Sequence, residues 1–291
     1  MIRILNFYYV YIIISIIYGG IMGTSIIRFF KNHKINNSIE SQNINCHEKK
    51  NNTPLLGGLI FSIPILLYLF YCKEFKLFIF LVIGTLIGLI DDFLKIKNRL
   101  SSKGLNKFPK ILLYTCNFII YSLLFKTHKL GAKTITQNLI KYAVILCGVL
   151  VTDGIDGLLG VLSLITLLVI FFLTIASKKL CILAIFSLIP FLYYNKHQAS
   201  IFMGDTGSSF LGTLLFYLIN EHEYKLALSS IYLIGFVSSF LQQIALRIGK
   251  RIIKIAPFHH NLEYYGWKEN EIVIFYLLNY LGVLAVSILI L

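Results

Sequence analysis

The stretch Gly88-Leu89-Ile90-Asp91-Asp92-Phe93-Leu94-Lys95 places two adjacent carboxylates at the end of a long apolar run, with a lysine one helical turn further on. A charged side chain beside lipid is costly and needs a partner, an ion or a function. On a helix Asp91 and Lys95 share a face, whereas Asp92 points about 100° away. Taken alone, the pair is either a charged cap at a membrane boundary or a general base or metal ligand.

The composition indicates a membrane protein. Hydrophobic residues make up 57% of the chain and charged residues 14%, whereas soluble domains carry about a quarter charged residues. A membrane-spanning helix needs about 20 mainly apolar residues. We therefore predict an all-α, polytopic membrane bundle, folded as a single domain over 1–291, with about ten transmembrane helices at 4–28, 55–72, 77–93, 111–126, 138–151, 158–177, 180–194, 208–221, 226–247 and 271–291.

The distribution of basic residues predicts how this bundle is oriented. Most of the 27 Lys and Arg residues lie in the odd-numbered loops, at 28–50, 95–110, 152–157, 195–207 and 247–270. Short loops rich in Lys and Arg stay in the cytoplasm, so both termini are expected on the extracytoplasmic side. Topology and attraction to anionic lipid also account for the net charge of +14, and we predict a lipid-bilayer partner and no nucleic acid.

All five aspartates of the chain lie at or beside these odd loops. Asp153 and Asp156 stand in Thr152-Asp153-Gly154-Ile155-Asp156-Gly157, where they share a helix face or lie in a glycine turn that offers N–H groups to an anion. An ordinary turn between spans is the alternative. Asp205, in Met203-Gly204-Asp205-Thr206-Gly207-Ser208, fits either an N-cap or a ligand of Mg²⁺.

Histidines and an aromatic residue extend the same face. Ala256-Pro257-Phe258-His259-His260-Asn261 follows a basic segment; its histidines fit proton carriers or phosphate donors, with a solvated loop as the alternative. Phe202 fits either a stacking platform for a base or an interfacial side chain. Carboxylates, glycine turns, lysines and histidines on one face together indicate Mg²⁺ and a phosphorylated substrate.

These residues resemble the polyprenyl-phosphate N-acetylhexosamine-1-phosphate transferases. The matching stretches appear in the family's order between about residues 47 and 267, and they are Thr53-Pro54-Leu55-Leu56-Gly57-Gly58, the Asp91 stretch, the Asp153 stretch, Ile201–Ser208 and Lys250–His260. The Ala-Pro-x-His-His segment, with Trp267 after it, is similar to the muramoyl-pentapeptide branch of that family.

The resemblance implies a function and a setting. It implies transfer of phospho-MurNAc-pentapeptide from its UDP carrier, UDP-MurNAc-pentapeptide, to undecaprenyl phosphate, with Mg²⁺ as cofactor and lipid I and UMP as products. It implies a multi-pass protein of the cytoplasmic (inner) membrane whose active site faces the cytoplasm, and it allows a homodimer.

The resemblance also assigns residues. It implies catalytic roles for Asp91, Asp92 and His259, with Asp91 acting as base or nucleophile toward the lipid phosphate, and a metal site at Asp205 and Asp153. The residues that it implies for substrate binding are Lys50, Lys95, Asp153, Asp156, Asn195, Phe202 and His260.

The chain departs from the family pattern at several positions. Cys147 and Leu150 stand where two asparagines are usual, Leu55 replaces a polar residue, and Asn261 replaces a third histidine. Within the enzyme class, the alternative is a relative that transfers another UDP-sugar phosphate, such as that of UDP-N-acetylglucosamine. From a different class, an ion-coupled transporter would carry its acids near the bilayer centre rather than at one face. An inactive homologue that serves as a scaffold is the third alternative.

Overall fold

The computed structural model describes residues 2–33, 53–98, 104–220 and 222–290, and every regular element in these ranges is helical. The α-helices are α1 (Ile2–Asn32), α2 (Leu59–Tyr71), α3 (Phe75–Lys97), α4 (Lys107–Leu124), α5 (Ala132–Thr152), α6 (Leu158–Leu173), α7 (Lys178–Asn195), α8 (Gly204–Asn220), α9 (Lys225–Arg247), α10 (Phe258–Tyr264) and α11 (Glu269–Ile290). The all-α prediction is confirmed, and each of the ten predicted runs falls on a helix.

Six helices within the described ranges are long and apolar enough to cross a membrane, namely Tyr8–Asn32, Phe75–Lys97, Ala132–Thr152, Lys178–Asn195, Lys225–Arg247 and Glu269–Ile290. Two further apolar helices, α2 and α6, are shorter. Large aliphatic side chains are exposed along the outer helices, for example Ile13 and Ile17 on α1 and Leu278 on α11. An apolar exterior of this kind fits a polytopic membrane bundle.

Helix α8 forms the centre of the bundle. All of its residues except Asp205 and Tyr217 are buried, and it packs along α3 and α5. Glycines on its neighbours allow this close approach: a Cβ on Gly88 of α3 would collide with the backbone carbonyl of Asp205, and one on Gly84 with the side chain of Thr213. Small residues at such crossings let helix backbones approach closely where lipid leaves little hydrophobic driving force between helices.

An aromatic cluster joins four helices on the side of α8 away from its N-terminus. Phe80 of α3 lies 4.9 Å, between ring centroids, from Tyr121 of α4. Phe216 of α8 packs edge-to-face on Tyr142 of α5 at 5.0 Å, and Asn117 donates a 3.0 Å hydrogen bond to the Tyr142 hydroxyl. Edge-to-face aromatic pairs stabilise packing beyond their buried area, so this cluster holds α3, α4, α5 and α8 in a defined arrangement.

The polar ends of the helices meet at one end of the bundle. The C-termini of α3, α5 and α7 and the N-termini of α4, α6 and α8 come together there, as the ion pairs and hydrogen bonds below show. The grouping of the polar motifs on one face, expected from the odd loops, is therefore present in the fold.

Candidate active site

Three aspartates form the centre of the polar end. Asp91 and Asp92 lie in the last two turns of α3, and Asp205 is the second residue of α8. One carboxylate oxygen of each aspartate lies within 4.8 Å of one oxygen of each of the other two. Mg²⁺ prefers hard oxygen ligands from carboxylates together with substrate phosphates. The donor set at this point therefore fits a divalent cation.

Asp92 closes the N-terminus of α8. Its Oδ1 accepts a 2.9 Å hydrogen bond from the backbone N–H of Asp205. Its Oδ2 accepts hydrogen bonds from the backbone N–H and the hydroxyl of Thr206, at 2.9 and 2.6 Å. A carboxylate on unsatisfied N–H groups at the positive end of a helix is stabilising. Asp205 was a candidate N-cap of α8, but Asp92, from a different helix, supplies that cap.

Asp91 occupies the other face of α3, as the helical spacing predicts. Lys95 Nζ lies 2.8 Å from its Oδ2, which confirms the i,i+4 pair. Its Oδ1 accepts a 2.7 Å hydrogen bond from the backbone N–H of Leu105. A Cβ on Gly104 would collide with this carboxylate. The segment before α4 therefore closes over Asp91, whose side chain is 2% exposed.

Two lysines connect the carboxylates. Lys95 Nζ lies 3.1 Å from Asp205 Oδ2, and Lys110 Nζ forms an ion pair with the same oxygen and lies 3.5 Å from Asp91 Oδ1. Lys110 is not among the site residues predicted from the sequence. Its position could have indicated a nearby anion. Lys110 lies in the first turn of α4, where the helix dipole disfavours a cation unless an anion is close.

Asp153 is the C-cap residue of α5 and lies within electrostatic range of Asp205 and Asp92. Burial of its carboxyl, and then the negative charges of Asp205 and Asp92, raise its pKa well above the usual range. An added positive charge between these groups would reverse that effect. Asp153 is not one of the three aspartates whose oxygens lie within 4.8 Å of one another, so the metal role that the resemblance implies for it stays a prediction.

Asp156 belongs to a second polar group. Its backbone N–H donates to Glu269 Oε2 at 3.1 Å, and its Oδ2 accepts a 3.0 Å hydrogen bond from the N–H of Ala199. His197 Nδ1 lies 3.7 Å from Asp156 Oδ2 and 3.8 Å from Glu269 Oε2. Glu269 was not predicted, since an acid in the first turn of α11 has an ordinary explanation as a dipole partner.

Asn195 and Phe202 are held next to this group by backbone hydrogen bonds. Asn195 Oδ1 accepts a 3.0 Å hydrogen bond from the N–H of Gly157, and its Nδ2 donates to the carbonyl of Ile201 at 3.0 Å. The N–H of Phe202 donates to the carbonyl of Pro54 at 2.8 Å. Both predicted substrate residues therefore lie on the polar end, beside the turn that carries Asp153 and Asp156.

The paired histidines pack against the same turn. A Cβ on Gly154 would meet Nε2 of both His259 and His260, whose ring centroids are 4.5 Å apart. His259 is fully buried. Burial, and then the neighbouring His260, lower the pKa of His259 well below its usual value. His259 is therefore a neutral imidazole, while His260 Nδ1 is 2.5 Å from Glu263 Oε2.

Two positions discussed from the sequence remain, Lys50 and Asn261. Lys50, predicted for substrate binding, lies outside the described residues. Asn261, which stands where a third histidine is usual, has a structural role: its Oδ1 accepts hydrogen bonds from the N–H groups of Lys254 and Ile255 at 3.1 and 3.4 Å. The other predicted site residues lie on the polar end described above.

Comparison with known proteins identifies similar sequences. The model of glycosyl transferase family 4 matches residues 75–222, a range that contains all five aspartates. The phospho-N-acetylmuramoyl-pentapeptide-transferase of Dictyoglomus thermophilum is 33% identical over 265 residues, covering 85% of this chain and 86% of the relative. The proteins of the same name from Dictyoglomus turgidum and Clostridium novyi are 35% and 32% identical, covering 85% and 90% of this chain and 86% and 90% of their own lengths.

Proposed function

Because the chain belongs to the phospho-N-acetylmuramoyl-pentapeptide-transferase family, within glycosyl transferase family 4, we propose that it catalyses the lipid I-forming step of peptidoglycan synthesis. It transfers phospho-MurNAc-pentapeptide from UDP to undecaprenyl phosphate and releases UMP. The observation that carries this proposal is the group of Asp91, Asp92 and Asp205 bridged by two lysines. Transfer of a phosphoryl group depends on positioning and on neutralisation of negative charge, which the two lysines and a cation held by the carboxylates would supply.

The bond changes are those of a phosphoryl transfer. An oxygen of the lipid phosphate forms a bond to the sugar-bearing phosphorus of the nucleotide substrate. The bond from that phosphorus to the bridging oxygen breaks, and the bridging oxygen leaves as part of UMP. Three phosphate groups meet in this step, so positive charge is needed around them. Lys95 and Lys110, which contact Asp205 in the structure, would donate to phosphate oxygens.

Asp205 is our choice as the principal Mg²⁺ ligand, with Asp91 and Asp153 beside it. Bound Mg²⁺ would neutralise the charge that develops on the leaving phosphate oxygen. Asp205 fits this role because its carboxylate, unlike that of Asp92, faces the two lysines rather than a helix terminus.

Asp91 is proposed to take the proton of the lipid phosphate. Its carboxylate is held by a backbone hydrogen bond and lies beside two ammonium groups that would bind phosphate oxygens, a position within reach of the proton of a bound lipid phosphate. We propose direct transfer, with no covalent intermediate on Asp91. Asp92 acts as a positioning residue, because both of its oxygens accept hydrogen bonds from the start of α8.

The second polar group is proposed as the nucleoside side of the site. Phe202 would stack on uracil, and Asn195, Asp156 and His260 would bind the ribose and phosphates. His259, being neutral and buried, supports the position of His260 and of the Gly154 turn. This layout puts the nucleotide between the α5–α6 turn and the N-terminus of α8.

The membrane arrangement follows from the same proposal. Ten of the helices, all except α10, span the inner membrane, and the polar end faces the cytoplasm. The concentration of basic residues in the odd loops supports this orientation.

The test is UMP release by the purified full chain with undecaprenyl phosphate and Mg²⁺. We expect turnover with UDP-MurNAc-pentapeptide and none with UDP-N-acetylglucosamine; the opposite preference would overturn the assignment. Asp205→Asn should abolish Mg²⁺-dependent turnover, by about 100-fold or more. Asp91→Asn should lose turnover and keep UDP-substrate binding. A trapped phospho-sugar on Asp91 would replace direct transfer by a covalent mechanism.

A further inference from the structure

A cavity lies between the C-terminal part of α9 and the segment that follows it, which leads to the paired histidines. Its volume is about 580 Å³. The polar side chains that line it are Ser239, Gln242, Gln243, Arg251, Lys254 and Tyr264. Among the described residues that line it, none is acidic, so the cavity carries two positive charges and no negative one.

The walls of this cavity are held in place by specific hydrogen bonds. Gln242 Oε1 accepts hydrogen bonds from the backbone N–H groups of Ile252 and Ile253, at 3.0 and 3.1 Å. Asn261 Oδ1 accepts one from the N–H of Lys254 at 3.1 Å. Both buried amides thereby fix the segment that carries Arg251 and Lys254. A preformed binding site loses less conformational entropy when a ligand binds.

The cavity and the proposed transfer site share one stretch of chain. Ile255 and Ala256 line the cavity, and His259 and His260, a few residues later, pack on Gly154 beside Asp153. A substrate bound at the aspartates would therefore approach Arg251 and Lys254 along the segment that carries the histidines.

The proposed substrate has a peptide extension. In a muramoyl peptide the sugar's own carboxyl group acylates the N-terminus of the peptide, so the far end of the peptide is a free carboxylate. Five extended residues span about 17 Å. We propose that this cavity is a subsite for the peptide of the nucleotide-linked substrate, in which Arg251 and Lys254 bind its C-terminal carboxylate. This inference rests on the proposed function.

The lining suits the carboxylate end of a peptide. Arg251 supplies a planar pair of N–H donors, which matches a carboxylate or a phosphate. Gln243, Ser239 and Tyr264 add hydrogen-bonding groups suited to peptide amides. The phosphate of the lipid carries negative charge too, so the experiment separates the two sources.

The experiment measures UMP release while the concentration of each substrate is varied in turn. For the unmodified protein, we compare UDP-MurNAc-pentapeptide with the same substrate amidated at the peptide C-terminus. Loss of one charge-assisted interaction should raise KM for the nucleotide substrate by about tenfold. The value of kcat should change little. No response to amidation would overturn the inference while leaving the proposed function intact; no UMP release with either substrate would overturn both.

Variants then locate the effect. Arg251→Gln and Lys254→Gln should each raise KM for the carboxylate substrate, and in the double variant amidation should have no further effect. Lys250 lies in the same segment but does not line the cavity. Lys250→Gln removes the same charge and should leave KM for the nucleotide substrate unchanged. A rise in KM for undecaprenyl phosphate instead of the nucleotide substrate would assign the cavity to the lipid phosphate and overturn the inference.

Discussion

The carboxylate of Asp92 on α3 accepts a 2.9 Å hydrogen bond from the backbone N–H of Asp205 on α8. Asp91 and Asp92, although adjacent in the sequence, therefore have different roles in the fold. Asp92 fixes the helix terminus that carries Asp205, and Asp91 pairs with Lys95 on the other face of α3. The position of the proposed metal ligand thus depends on a buried acid from another helix.

We expect Asp92→Asn to lower both stability and turnover. An amide nitrogen would face an N–H donor of Asp205 or Thr206, and the charge at the helix N-terminus would be lost. The expected cost is about 1–3 kcal/mol, seen as a lower Tm in detergent, together with slower UMP release. Glu74→Gln makes the same change at an exposed position and serves as the control. Unchanged Tm in Asp92→Asn would argue against the positioning role.

Lys110→Gln should weaken turnover because its ammonium group contacts Asp205 and lies near Asp91. Removing one of the two cations leaves three aspartates with a single lysine, so binding of the anionic nucleotide substrate should suffer by about tenfold or more. The measurement is KM for that substrate. Lys107→Gln, at an exposed position in the same helical turn, should behave like the unmodified protein. Equal effects of the two variants would contradict a site role for Lys110.

Gly204→Ala should be poorly tolerated. Gly204 has a φ of +73°, and an added Cβ would contact the carboxylate of Asp92. Strain at a left-handed position costs about 1–2 kcal/mol, and displacement of Asp92 adds to it. We expect a lower Tm and reduced turnover. At Gly20, within α1, nothing lies within 4 Å of an added Cβ, so Gly20→Ala should fold normally. A fully active, stable Gly204→Ala would show that this contact is not needed.

Stability should fall on the acid side because of His259. Burial lowers the pKa of His259 in the folded protein, whereas in the unfolded chain it takes a proton below about pH 6.5. Below that pH the unfolded state binds the extra proton, so the free energy of unfolding decreases by up to about 1.4 kcal/mol per pH unit. Above it, His259 contributes no pH dependence.

The check is the Tm between pH 7.5 and 5.5. His259→Phe removes the titrating group while filling the same buried space, and its Tm should depend less on pH in this range. His33→Gln changes an exposed histidine and should keep the pH dependence of the unmodified protein. An identical acid response in His259→Phe would assign the loss of stability to other groups.

The sequence by itself determined the helical architecture and the grouping of its acids. Apolar runs are local signals, and each of the ten predicted runs falls on a helix. The i,i+4 geometry of Asp91 and Lys95 is also local, and the ion pair is present. Asp153, Asp156 and Asp205 could be placed on one face because the loops that carry them alternate sides along the chain.

Only the tertiary structure decided which of these groups contact one another. Three contacts depend on how helices far apart in sequence cross. Asp92 caps α8, Lys110 forms an ion pair with Asp205, and Glu269 accepts a hydrogen bond from Asp156. Spacing within one helix carries no information on those crossings. They are set by close packing around a buried α8, where Gly84 and Gly88 admit the neighbouring backbone.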